Sequence, residues 1–151
     1  MISLPASAAQ YPTLTIYLSD EYSRLLGAAP WMKLRYLTFH VRTRIRFSRY
    51  GGMHHDPAIW SGLAQLFGSL AAAGCTALRS ITLELADLAS DGELKLGLDG
   101  LRGIERSLAV LQQLSELRIT VDPTYPPLTF AHRAVFQDAM KEFYNRKILI
   151  L

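Results

Sequence analysis

The residues best suited to chemistry lie in "GGMHHDPAIW", Gly51 to Trp60. His54, His55 and Asp56 carry groups that bind metals or move protons. Consecutive side chains on an extended chain point to opposite sides, so His54 and His55 do not easily share one ion. Zinc needs three or four ligands. His40, His132 and the lone Cys75 are the other histidines and cysteine in the chain. The competing reading makes Asp56 a helix N-cap and Pro57 the first helical residue, with both histidines in a solvated loop. The spacing favours that reading. A small metal-binding protein or enzyme using His54, His55 and Asp56 is the alternative.

A second candidate precedes it, in "HVRTRIRFSR". Alternation predicts one strand from Leu37 to Phe47, with Leu37, Phe39, Val41, Thr43, Ile45 and Phe47 on one face. The other face then carries Thr38, His40, Arg42, Arg44 and Arg46. Three arginines two residues apart make a ribbon roughly 13 Å long. Guanidinium groups so placed suit carboxylates or phosphates, and the same charges also defend a strand edge. An acidic protein surface fits better than nucleic acid, because no aromatic RNA-binding motif accompanies the arginines.

Other chemistry lacks its signature. No phosphate-binding glycine loop, G-x-S-x-G or H-E-x-x-H is present. "SDGELKLGLDG" has acidic residues without the spacing of a calcium loop. Cys75 follows a helix and reads as a small buried residue rather than a nucleophile. No cofactor is expected.

The elements that must position these residues repeat. "YPTLTIYL" from Tyr11, "LRYLTFHV" from Leu34, "LRSITLEL" from Leu78 and "LSELRITV" from Leu114 each place apolar residues first, fourth, sixth and eighth. The last three of those positions alternate as one face of a strand does. "NRKILIL" from Asn145 is a fifth such stretch, with its alternation at Ile148 and Ile150. Helical patterns lie between. A short one follows Ser19 or Asp20 and stops at Pro30. Another runs from Pro57 to Ala73 with Trp60, Leu63, Leu66, Phe67 and Leu70 on one stripe, closed by Gly74. A polar loop is expected over 87–100. Asp99 then caps a helix carrying Leu101, Ile104, Leu108 and Leu111, whose first turn Gly100 and Gly103 weaken. After a proline-rich loop, a single helix spans 130–144 with Phe136, Ala139, Met140 and Phe143 on one side.

Strands alternating with helices imply right-handed crossovers and a parallel sheet. The fold class is α/β, an irregular solenoid of about five parallel strands. Its polar strand row holds Thr15, Tyr17, Thr38, His40, Thr82, Glu84, Arg118 and Thr120. In a solenoid that row forms the concave face where partners bind.

Composition agrees with a folded domain. The 151 residues suit one domain and a sizeable core. Half of them are hydrophobic and 19% are charged, too apolar a balance for disorder. A net charge of +3 permits an acidic partner without requiring nucleic acid. One cysteine excludes an internal disulfide and fits a reducing compartment, the cytoplasm or nucleus. No secretory leader or membrane span is expected.

The strand motif is a loose form of the leucine-rich-repeat signature, without its usual asparagine. With "IWSGLAQLFGSLAAAGCTALRSITLEL" and "FYNRKILIL", it resembles the C-terminal region of F-box and leucine-rich-repeat-like proteins of basidiomycete fungi. Trp60, Leu63, Leu66, Leu78, Arg79, Ile81, Arg146, Ile148 and Leu149 match that pattern, and Lys147 stands where the family has glycine. The stretch before Tyr11 is too short for an F-box. The resemblance implies a substrate-recognition region, with a ubiquitylation substrate as partner. The function expected is therefore non-enzymatic protein binding through Tyr17, His40, Arg42, Arg44, Arg46, Glu84 and Arg118. An orphan or truncated fragment is the other alternative. An uncapped strand at Ile148–Leu151 would favour self-association through terminal strands.

Overall fold

A computed structural model describes residues 13–17, 34–42, 44–46, 53–55, 58–75, 77–86, 88 and 90–151. Of residues 13–17, 44–46, 53–55 and 58 it describes the backbone. Seven strands and five helices are present among them. In chain order they are β1 (Thr13–Tyr17), β2 (Tyr36–Arg42), β3 (Arg44–Arg46), β4 (Met53–His55), α1 (Ala58–Ala72) and β5 (Ser80–Ala86). Then follow α2 (Asp91–Lys95), α3 (Leu98–Leu108), β6 (Glu116–Val121), α4 (Phe130–Ala139), α5 (Lys141–Asn145) and β7 (Leu149–Ile150). The predicted helix over 19–30 lies outside the described residues.

The fold is α/β, with helices between the strands of a parallel sheet in the order β1-β2-β5-β6-β7. The repeated motif sets the register. Leu14, Leu37, Ile81, Leu117 and Leu149 form one inner row, and Ile16, Phe39, Leu83 and Ile119 the next. The described side chains of these rows are buried in one core with Trp60, Leu63, Phe67 and Leu70 of α1, Leu101 and Ile104 of α3, and Phe136 of α4. Phe39 meets Phe67 edge to face, centroids 5.4 Å apart, so α1 lies on that face. Trp60 meets Phe136 in the same manner at 6.1 Å, tying α1 to α4.

Several expected boundaries differ. The strand predicted to run from Leu37 to Phe47 is two strands in two sheets. β2 keeps its ladder to β5 up to Arg42, opposite Ala86, where β5 ends. The chain then pairs antiparallel, Arg44 with His55 and Arg46 with Met53. Met53–His55 is therefore a hairpin strand rather than a solvated loop. Thr43, Phe47, Gly51 and Gly52, and the expected cap at Asp56–Pro57, lie outside the described residues. The fifth strand is also shifted by one residue from the expected alternation. Leu149, not Ile148 or Ile150, stands in the inner row beside Leu117, while Ile150 stands beside Arg118.

The expected polar loop over 87–100 contains α2, which begins where Ser90 Oγ accepts the Glu93 N–H at 3.3 Å. Gly97, not Asp99, is the N-cap of α3, and α3 stops at Leu108, before Leu111. The close approach of α3 to α1 explains these glycines. A Cβ on Gly97 would lie 2.4 Å from Trp60 Cδ1, and one on Gly100 would lie 2.7 Å from both Ser61 N and Trp60 Cβ. Gly103 is nearly as tight, its Cβ position 3.2 Å from Ala64 Cβ. Their lost helix propensity is exchanged for helix–helix contact.

The single helix predicted over 130–144 breaks at Met140 (φ −117, ψ 50). Upstream, a reciprocal cap starts α4: Thr129 Oγ1 accepts the His132 N–H, and His132 Nδ1 accepts the Thr129 N–H. At the break Met140 has no capping oxygen in its side chain. Glu105 Oε2, reaching from α3, accepts the Phe143 N–H at 3.0 Å instead.

Two helices end alike. Gly74 (φ +84) closes α1, with Gly74 N–H on the Ala71 carbonyl and Cys75 N–H on the Leu70 carbonyl. Lys147 (φ +60) closes α5, with its N–H on the Tyr144 carbonyl and Ile148 N–H on the Phe143 carbonyl. Both are left-handed caps of the Schellman type. The expected role of Gly74 holds, and Lys147 occupies a position that favours glycine.

Candidate functional site

The face of the sheet opposite the helices carries the polar positions. Thr38, His40, Thr82, Glu84 and Thr120 are partly exposed, and Arg42 and Arg118 are exposed. Alternation puts them there: Thr38, His40, Thr82, Glu84 and Arg118 each lie between two buried inner residues, and Arg42 and Thr120 follow the buried Val41 and Ile119. The register then assembles rows across strands far apart in sequence. Tyr17, His40, Glu84 and Thr120 stand side by side, and Thr15, Thr38, Thr82 and Arg118 form the row before.

Within the first row His40 Nδ1 lies 3.3 Å from Glu84 Oε1, with both side chains roughly three-quarters covered (26% and 29% exposed). On β6, Arg118 Nε donates to Glu116 Oε1 at 2.7 Å. Just past β6, Asp122 Oδ1 accepts the Thr124 N–H and hydroxyl, each at 2.9 Å. Those two bonds hold the Asp122 carboxyl below the usual carboxylate range, and the nearby His40 adds to the effect. Glu116 and Asp122 were not singled out from sequence. Their partners lie two residues away, a local spacing that could have flagged them.

Of the seven expected contact residues, the sheet brings His40 and Glu84 into contact. Tyr17 stands in their row by backbone register, and Arg118 lies on the strand beyond Glu84. Arg42 ends β2. Arg44 and Arg46 belong to the separate hairpin, so the expected continuous arginine ribbon is interrupted after Arg42.

His54 and His55 are consecutive residues of β4, opposite Ile45 and Arg44. Asp56 lies outside the described residues. Among the described residues, no group of three or more His, Cys, Asp or Glu is placed to hold a metal ion. Cys75 is fully buried, as expected, and burial pushes its thiol up to about 11, far from a reactive thiolate at neutral pH. A small open pocket of about 130 Å³ is lined by Leu108, Leu111, Phe143, Arg146 and Ile148 among others. It is below the several hundred Å³ usual for small-molecule sites. No helix among the described residues is long and apolar enough to cross a membrane.

Comparison with protein-family models, with curated proteins and with solved structures gives no match.

Proposed function

We propose that the chain is a non-enzymatic protein-interaction module that binds its partner on the open face of the sheet, around Tyr17, His40, Arg42, Glu84 and Arg118. One observation carries this reading: the helices cover one face of the sheet, while the other is a partly exposed lattice of threonines and charges. Its arrangement is that of an irregular leucine-rich-repeat-like solenoid. The sequential strand order and the recurring inner row support this. Short polar side chains on a rigid sheet are positioned at little entropic cost, which suits a recognition surface.

The resemblance to the F-box-associated repeats of basidiomycete proteins makes the partner a ubiquitylation substrate met in the cytoplasm or nucleus. Arg44 and Arg46, in β3 just after Arg42 in the chain, belong to the same proposed contact set. Self-association through the terminal strands belongs to the same proposal, since β1 and β7 are the two ends of the sheet.

Site-specific photo-crosslinking in cells tests the reading. A photoreactive residue at Thr38 or Thr82 is expected to capture a partner that the same residue at Arg102, exposed on the helix side, does not. Equal capture from both sides would remove the open face as the site.

A further inference from the structure

We infer that Arg35 and Arg79 form a paired carboxylate clamp at the strand-entry end of the parallel sheet, taking an acidic segment of a partner protein. The inference rests on the proposed protein-binding role and names the chemistry it recognises. The repeated motif opens with Leu34–Arg35, Leu78–Arg79 and Leu114–Ser115. The leucines are buried, and the residue after each is exposed.

The backbone holds that row rigidly. The Arg79 and Ser80 N–H groups both donate to the Arg35 carbonyl, at 2.8 and 3.0 Å. The Ser115 and Glu116 N–H groups both donate to the Arg79 carbonyl, at 2.9 and 3.2 Å, and the Ser115 hydroxyl joins them at 3.2 Å. Neighbouring strands lie about 4.8 Å apart, so the two arginine stems start side by side. Two guanidinium groups on adjacent stems repel when they converge, and an anion between them offsets that repulsion.

The carboxylates of the face are already engaged elsewhere. Glu84 faces His40, Glu116 holds Arg118, and Asp122 accepts from Thr124. Among the described residues, neither Arg35 nor Arg79 pairs with a carboxylate. The rim therefore presents two guanidinium forks, the donor geometry that takes a carboxylate bidentately.

Fluorescence anisotropy of the full chain tests the clamp at low ionic strength. The probe is a labelled peptide carrying two Glu-Glu pairs in a Gly-Ser background, with an all-Gln version as control. The Arg35→Gln/Arg79→Gln double variant is expected to weaken acidic-peptide binding about 10-fold. Arg106→Gln/Arg133→Gln, the same charge change on exposed helical positions, is expected to leave it unchanged. Equal loss in both doubles would reduce the effect to net charge and overturn the clamp. So would no binding, or equal binding of the all-Gln peptide. Tighter, Arg35/Arg79-dependent binding of an oligothymidylate would overturn the acidic-protein assignment. Because crosslinking from Thr38 and Thr82 is read separately, the clamp can fail while the open face stands.

Discussion

The two faces of the parallel sheet come from the same strands and obey different rules. On the inner face, Phe39, Leu83 and Ile119 are sealed beneath helices, where a change of side-chain volume is felt. On the outer face, His40, Glu84 and Arg118 make partly exposed polar contacts that contribute little to stability. Substitution should therefore separate them: inner changes act on folding, and outer changes act on recognition.

The largest expected effect is at the α1–α3 contact. Gly100→Ala drives a methyl group into the backbone of Ser61 and is expected to cost about 3 kcal/mol in denaturant unfolding. Gly62→Ala is the same substitution with open space around it, and should instead stabilise by about 1 kcal/mol. If the two variants move together, the contact is not what the glycines serve.

Next comes the inner-face thiol. Burial raises the folded pKa of Cys75 above its unfolded value, from 9.0 to about 11. Between those values the folded state holds a proton that the unfolded state has lost. The stabilising contribution is thus complete below pH 9 and disappears as pH rises towards 11. Its full size is about 3 kcal/mol, read as the difference in alkaline stability between the native chain and Cys75→Ala. Disulfide-exchange reagents should modify Cys75 at pH 8 only after unfolding.

A smaller effect is expected at the second of the two left-handed helix ends. Lys147→Gly should stabilise by about 1 kcal/mol, because a side chain at φ +60 carries a cost that glycine does not. The reverse exchange, Gly74→Lys, should destabilise by a similar amount. Thermal melts of the two variants, moving in opposite directions, check both.

The smallest stability effects belong to the outer face. His40→Ala and Arg118→Ala should each change unfolding free energy by no more than about 0.5 kcal/mol while weakening partner capture. A loss of several kcal/mol from either would mean that this face is structural.

Much of the fold was legible in the sequence. The apolar positions of the repeated motif are the inner rows, the α1 stripe is buried, and Gly74 ends α1. The outer row carrying His40 and Glu84 followed from alternation alone, although their contact needed the register of β2 against β5. The rest failed where a distant neighbour decided. Alternation continued past Arg42, but β5 had ended, and a strand without a ladder leaves its backbone groups unpaired. The apolar stripe continued through Met140, yet Glu105 from another helix caps the break. The alternation of "KILIL" gave no register, and packing against β6 chose Leu149.

The order of residue types along the chain sets the apolar period, and hence which side of each strand and helix is buried. Periodicity is local, and a side chain's direction is fixed by its own backbone. Long-range packing settles which strands end together, which carboxylate caps which helix, and that Gly97 and Gly100 admit Trp60 and its helix. Those outcomes depend on atoms brought within a few ångströms by residues far away along the chain, and no local pattern records them.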